Sequence, residues 1–263
     1  MKTALVQLSA GSNKKENIAK AVSLVEQCIR KGAEFVLLPE AFSFRGNLKE
    51  FLPSVAETIP GESTAPLMAL AKKYNVFILA GSIYEKIKGS AKAYNSSVLI
   101  NDRGDAAAVY RKTHLFELNL PAKKINESDY LMAGEKAVVA QVQAFKAGFS
   151  ICYDLRFPEL YRDYFKKNTE ILCAPSAFTF ETGKAHWKVL LRARAIENLS
   201  YVLAPNQCGG EGQIIPCYGH SMIVGPWGEI LAEASEDKEE IIFADLRKEQ
   251  IEEKRRILPL FGK

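Results

Sequence analysis

The sequence is short of the residues that metal and disulfide frameworks need. Its 263 residues include three histidines, His114, His186 and His220, which leaves little material for a histidine-based metal site. The five cysteines (Cys28, Cys152, Cys173, Cys208 and Cys217) are odd in number and lack CxxC spacing. Neither a structural zinc nor a disulfide framework is therefore expected, and the thiols read as reduced, in a cytoplasmic protein. No window approaches 18 consecutive apolar residues, so no membrane span is expected. The first residues, MKTALVQLSAGSNKKEN, have too short an apolar stretch for a signal peptide. Charge of one sign is also scarce. Lys plus Arg is 35 and Asp plus Glu 31, a net +4, too small and too evenly spread for a nucleic-acid partner. No Pro/Gly/Ser-rich linker, repeat or low-complexity tract divides the chain, so a single domain over residues 1–263 is expected.

What is present alternates between helical and extended patterns. Residues 3–8 read as a buried strand. A helix is expected from about Asn13 to Lys31, where Ile18, Ala21, Val22, Val25, Cys28 and Ile29 recur at 3–4 spacing. Asn13 can cap its start and Gly32 can stop it. Further helices are expected near 63–74, 158–166 and 186–198, with strands at 35–38, 76–80, 138–144, 149–152, 171–174, 201–205 and 241–245. The tail reads as charged and helical. Asn101-Asp102-Arg103-Gly104 and Gly225-Pro226-Trp227-Gly228 mark hairpins. Residues 111–136 read as a long polar loop, a feature that is usually functional in a compact domain. Helices between strands suggest parallel units, and hairpins add antiparallel pairs. The fold class expected is α/β, with two mixed β-sheets face to face and helices outside, in four layers αββα.

Three apolar runs end in one reactive side chain each. Phe-Val-Leu-Leu-Pro leads to Glu40, Ala-Val-Tyr-Arg to Lys112 and Gly-Phe-Ser-Ile to Cys152. Ligands of α/β folds sit outside the carboxyl ends of strands, so the three could share one pocket. A thiol attacks a carbonyl or nitrile carbon as its thiolate. A carboxylate can take the thiol proton and return it to a leaving amine. An ammonium, with the backbone N–H of Tyr153 after the cysteine, can stabilise the oxyanion. Singly, each residue reads more often as an inert core thiol, a solvated loop charge or a surface lysine than as a catalytic group.

Together with their neighbours they say more. Leu-Pro-Glu-Ala-Phe (38–42), Tyr-Arg-Lys-Thr-His-Leu-Phe-Glu (110–117) and Ile-Cys-Tyr-Asp-Leu-Arg-Phe-Pro-Glu-Leu (151–160) closely resemble the three motifs of the nitrilase (carbon–nitrogen hydrolase) superfamily. The likeness runs nearly end to end, through 185–197 and 218–228, and is greatest to the amidase branch with deaminated glutathione amidase and omega-amidase. The resemblance implies the αββα sandwich, Glu40 as general base and acid, Lys112 as oxyanion stabiliser and Cys152 as nucleophile. It implies a second glutamate after the lysine motif, at Glu127 with Glu117 as competitor. It also implies a homodimer or higher homo-oligomer, and no metal or organic cofactor. Arg156, four residues past the nucleophile, stands where carbamoylase relatives hold a substrate carboxylate; an internal pair with Glu159 is the other reading. The function expected is cysteine-dependent hydrolysis of a small carboxylated amide through a thioester. The alternatives are a carbamoylase or nitrilase of the same fold, or a non-catalytic metabolite-binding scaffold. A scaffold could lose the nucleophile, base or lysine, and this chain keeps all three.

Overall fold

The computed structural model describes residues 1–120, 123–210 and 215–260. The chain runs β1 (Lys2–Gln7), α1 (Lys14–Arg30), β2 (Phe35–Leu37), α2 (Leu48–Val55), α3 (Ala65–Tyr74), β3 (Phe77–Lys86), β4 (Ala93–Ile100) and β5 (Ala106–Arg111). It continues through β6 (Glu117–Leu120), β7 (Lys123–Asn126), β8 (Leu131–Met132), β9 (Val139–Val142), β10 (Phe145–Phe149), α4 (Pro158–Lys166), β11 (Ile171–Cys173), α5 (Phe180–Asn198) and β12 (Tyr201–Ala204). It ends with β13 (Cys208–Gly209), β14 (Cys217–Tyr218), β15 (Met222–Val224), β16 (Ile230–Glu233), β17 (Glu240–Asp245) and α6 (Lys248–Ile257).

Two mixed sheets form the centre. The first has the order β17-β1-β2-β3-β4-β5, with β8 beside β4; the second has the order β16-β15-β12-β11-β10-β9. In each, three central strands are parallel, β1-β2-β3 and β10-β11-β12, and the outer pairs are antiparallel except for the short parallel pair of β8 with β4. Alternation along the strands then sets the layers. In β1, Leu5 joins Phe35, Leu37 and Leu79 against Phe149, Ile171 and Leu203 of the second sheet. Its neighbours Ala4 and Val6 face the other way, onto Ala21 and Val25 of α1 and Leu67 of α3. On the far side, Trp187, Leu191 and Ala195 of α5 and Tyr161 and Tyr164 of α4 close the second sheet. The result is the αββα sandwich expected from the pattern.

Three expectations need correction. The tract 111–136 is not irregular: β6 and β7 form a hairpin within it, followed by a 3-10 turn at Glu127–Asp129 and by β8. The expected strands at 138–144 and 149–152 are instead the antiparallel pair β9 and β10. Their turn is at Gln143, in the left-handed region at φ +50°, and the strand ends at Phe149. Cys152 therefore lies beyond the strand, on a turn. Helix α5 begins at Phe180, not near His186.

Candidate active site

The expected trio meets at the carboxyl ends of β2, β5 and β10, in one cavity of about 760 Å³. Glu40 follows β2 on a tight loop. Ala41 has φ +53° and donates its N–H to Ser82 Oγ at 2.9 Å. The loop crosses β3 at Gly81, where a Cβ would overlap the Pro39 carbonyl oxygen, so only glycine permits this approach. Behind it, buried Gln207 donates to the Glu40 carbonyl at 2.8 Å and accepts from Ala10 N–H at 2.9 Å.

The Glu40 carboxylate has well-placed donors. Oε1 accepts from Lys112 Nζ at 2.9 Å and Asn95 Nδ2 at 2.9 Å, and Oε2 accepts from the Ala177 N–H at 2.9 Å. Lys112 follows β5 directly and is 1% exposed. Its ammonium also lies 2.9 Å from Glu127 Oε2. Burial alone would lower the lysine pKa, but the Glu127 and Glu40 carboxylates raise it well above the ordinary value, so it stays charged. Glu127 is placed by its 3-10 turn and by Phe116 N–H, 2.7 Å from Oε2. Burial and the facing Glu40 charge push its pKa up, against the pull of Lys112. Glu117 lies exposed on β6, so the carboxylate beside the lysine is Glu127.

Cys152 takes φ +48°, a left-handed conformation that costs a non-glycine residue ~1–2 kcal/mol. The Cys152 N–H donates to the Pro175 carbonyl at 3.0 Å, which fixes the turn. Burial pushes the thiol pKa well above its ordinary value, the Glu40 charge adds to this, and Lys112 opposes it. The resting group is thus a neutral thiol beside a carboxylate. Such a pair can pass a proton from sulfur to Glu40, whereas a standing thiolate would need no base.

Sequence reasoning passed over Asp154, which joins two arms of the site. Fully buried, it accepts from Tyr110 Oη at 2.7 Å, Thr113 Oγ1 at 3.0 Å, His114 N–H at 2.9 Å and Ile151 N–H at 2.8 Å. His114 Nδ1 lies 2.7 Å away. One carboxylate thereby ties the lysine strand end to the cysteine turn. Its signal was a charged residue inside a run that folds into the core. Asp154→Asn keeps the size but loses the charge and half the acceptor capacity. Such hydrogen bonds to charge contribute ~1.5–3 kcal/mol each. The variant is expected to lose about 3 kcal/mol in urea unfolding and to lower kcat; wild-type values for both would contradict the assignment.

The remaining expected residues line the same cavity. Tyr153 packs edge-on against Phe116, with centroids 5.3 Å apart. Arg156 does not pair with Glu159. Its Nη1 lies 3.1 Å from His186 Nδ1, and its guanidinium lies over Phe178 at 5.1 Å and Tyr153 at 5.7 Å. Among the described residues no carboxylate comes within ion-pair distance of it. Arg194 donates from Nε and Nη2 to the Leu155 carbonyl at 3.1 and 2.9 Å, bracing the same turn from α5. Among the described residues no group of three or more His, Cys, Asp or Glu is placed to hold a metal ion.

Residues 2–256 match the family model of the carbon-nitrogen hydrolases. The chain belongs to the carbon–nitrogen hydrolase family. It is a hydrolase of carbon–nitrogen bonds other than peptide bonds. The hydrolase is 42% identical over 260 residues to the deaminated glutathione amidase of Synechocystis, covering 97% of this chain and 95% of that one. It is 37% identical over 259 residues to the human omega-amidase NIT2, covering 98% and 92%. The crystal structure of Saccharomyces cerevisiae Nit3, a nitrilase-superfamily member, superposes with TM-score 0.90 at 34% identity, over 100% of this chain and 96% of that one. No helix among the hydrolase's described residues is long and apolar enough to cross a membrane.

Proposed function

We propose that the hydrolase is a cysteine-dependent amidase acting on small amides that carry a carboxylate, such as deaminated glutathione or a 2-oxo dicarboxylic acid monoamide. The observation that carries this reading is Glu40, 2.9 Å from the Lys112 ammonium and facing the neutral Cys152 thiol at the base of one cavity. Glu40 takes the Sγ proton as sulfur bonds to the amide carbon. The Lys112 ammonium and the Tyr153 N–H receive the oxyanion. Collapse breaks the C–N bond, and Glu40 gives its proton to the leaving nitrogen. Water, deprotonated by Glu40, then attacks the thioester, and the C–S bond breaks with return of a proton to sulfur. Glu127 holds the lysine in place. The amidase relatives support this choice over a carbamoylase or nitrilase.

Arg156 supplies the substrate's carboxylate partner in this reading. It has aromatic walls and no competing carboxylate among the described residues, which leaves its planar fork available for a bidentate grip. A panel of amides tests this. Arg156→Lys is expected to lower kcat/KM for carboxylated amides by ~10-fold or more relative to neutral ones, because lysine lacks the fork. Equal losses on both classes would make Arg156 structural.

The single domain over 1–263 is further read as a homodimer in the cytoplasm. On α5, Val189 is 68% and Ile196 43% exposed, and Trp227 on the neighbouring hairpin is 48% exposed. Arg192 donates to the Gly228 carbonyl at 2.8 Å, which holds that hairpin against α5. An apolar patch of this kind on a surface helix fits a subunit contact. Sedimentation at micromolar concentration is expected to give twice the chain mass; a monomer alone would contradict it.

A further inference from the structure

The carboxylate that moves the protons is held by more than the ammonium, and one of its donors has no part in the reaction above. Asn95 lies in β4 and is 2% exposed. It stands directly opposite Tyr84 of β3. On its other side the register sets Ser96 opposite Arg111 of β5. The Lys112 N–H donates to the Asn95 carbonyl at 2.8 Å, so the ladder runs on by one residue and puts Lys112 beside Asn95. Residues opposite one another share a face of the sheet. Tyr84, Asn95 and Lys112 thus form one row across three strands, on the face where Glu40 sits.

This row loads one oxygen of Glu40. Lys112 Nζ and Asn95 Nδ2 both donate to Oε1, each at 2.9 Å. Oε2 accepts from the Ala177 N–H at 2.9 Å. That N–H and the Glu40 carboxylate are also the two groups the Cys152 sulfur meets. Oε2 is therefore the oxygen on the sulfur side. A carboxamide nitrogen carries fixed N–H donors and takes up no proton, so it marks Oε1 in both protonation states of Glu40. The arrangement has a cost. Asn95 Oδ1 is shielded from solvent and has no hydrogen-bond partner among the described residues. Turning the amide over would aim that oxygen at the carboxylate. The fold leaves the oxygen unpaired and keeps the nitrogen on Glu40.

We propose that Asn95 is a positioning residue, which occupies Glu40 Oε1 together with Lys112 and directs the thiol proton to Oε2. This rests on the amidase reading. The S–H bond breaks, its electron pair forms the C–S bond as the carbonyl pair moves to oxygen, and the proton passes to Oε2. Oε1 becomes the carbonyl oxygen of the neutral acid and keeps its Asn95 donor. The proton then goes from Oε2 to the departing nitrogen, on the side where the sulfur stands. Lys112 cannot do this alone, because its ammonium also faces Glu127 at 2.9 Å and serves the oxyanion as that forms.

The test follows hydrolysis of a 2-oxo dicarboxylic acid monoamide against pH in wild type, Asn95→Leu and Asn95→Ala. Asn95→Leu keeps the shape and removes the donor. Near neutral pH its kcat is expected to fall on the order of 10- to 100-fold, the cost of a misplaced reacting group. KM is expected to change by less than about 3-fold, because Asn95 acts through Glu40. The acidic limb of kcat/KM is expected to move up by about one pH unit, because a hydrogen bond to the charged form favours that form and is lost. Lys112, Glu127, Cys152, Tyr84 and Cys217 are the titratable groups that face Glu40, and all are unchanged in both variants, so the movement reads the lost bond. Turnover lost with the acidic limb in place would make Asn95 structural. A KM that rises as kcat falls would make it a substrate contact, and unchanged turnover would make it idle. Each of these overturns the inference and leaves the amidase reading standing. Wild-type protein inert toward the monoamide would overturn the two together. If Asn95→Leu does not fold, Asn95→Ala carries the test, and its acidic limb must move the same way.

Discussion

Cys152→Ala is expected to abolish amide hydrolysis, with kcat lower by ~10⁴ or more, while the protein folds as before. The size of the loss follows from covalent catalysis: without sulfur no thioester forms, and what remains is binding and oxyanion stabilisation alone. The fold is expected to survive for local reasons. The residue is 9% exposed and small, and the two groups its sulfur meets, the Ala177 N–H and the Glu40 carboxylate, remain hydrogen-bonded to each other at 2.9 Å when it is removed. Its φ of +48° strains alanine as it strains cysteine, so the backbone cost is unchanged. A stability change of ~1 kcal/mol is the expected scale. Cys152→Ser keeps a hydroxyl in place of the thiol and is expected to fail nearly as badly, since a carboxylate is too weak a base to activate it. Steady-state kinetics beside a thermal melt separates the two effects.

Lys112→Ala is expected to damage both chemistry and stability. Removing an oxyanion donor typically costs ~10²–10³ in kcat, and here the donor is also the charge that holds Glu40 in position. The stability loss comes from the two carboxylates left behind. Glu40 and Glu127 each lie 2.9 Å from the same ammonium. Breaking a buried ion pair by removing one partner costs ~3–5 kcal/mol. The pH dependence has a definite sign. Burial and the facing carboxylate already raise the Glu127 pKa, and without the lysine nothing pulls it back, so this carboxyl binds its proton more tightly in the folded than in the unfolded state. Variant stability therefore falls as pH rises through the raised folded value of Glu127, and the deficit against wild type shrinks toward acid pH. Adding Glu127→Gln to Lys112→Ala removes one of the stranded charges. It is expected to recover part of the stability in urea unfolding and none of the turnover. Recovery of turnover would show that the lysine is structural only.

Much of this was readable from the chain because the elements have clean periodicity. Helix α1 shows its apolar stripe at 3–4 spacing, and Asn13 caps it through Oδ1, which accepts from Glu16 N–H at 3.3 Å. The three strand ends were visible because buried strands read as apolar runs, and a reactive side chain at the end of one stands out. What stayed hidden depended on contacts distant in sequence. The β6–β7 hairpin has two four-residue strands, mostly polar, so no period emerges; yet it ends at Asn126 and sets Glu127 beside Lys112. The first turns of α5 were masked by Gly183, which reads as a breaker. It is tolerated because the Tyr218 ring packs where a Cβ would stand. Asp154 looked like one polar residue in a motif, and only folding shows that it accepts from both the lysine arm and the cysteine turn. The surroundings of Arg156 were not legible from spacing either, because His186 and Phe178, which meet its guanidinium, come from elsewhere in the chain.

The central claim is that Cys152 carries the acyl group between the two half-reactions, with Glu40 moving the protons. Intact-protein and peptide mass spectrometry of rapidly quenched reactions tests it directly. With a carboxylated amide at saturating concentration, wild-type protein is expected to gain the mass of the acyl group less one hydrogen, located on the peptide containing Cys152. The adduct should be lost when the thioester is treated with hydroxylamine, and Cys152→Ala should show none. Amide hydrolysis with no adduct in wild-type protein and undiminished turnover in Cys152→Ala would contradict the account.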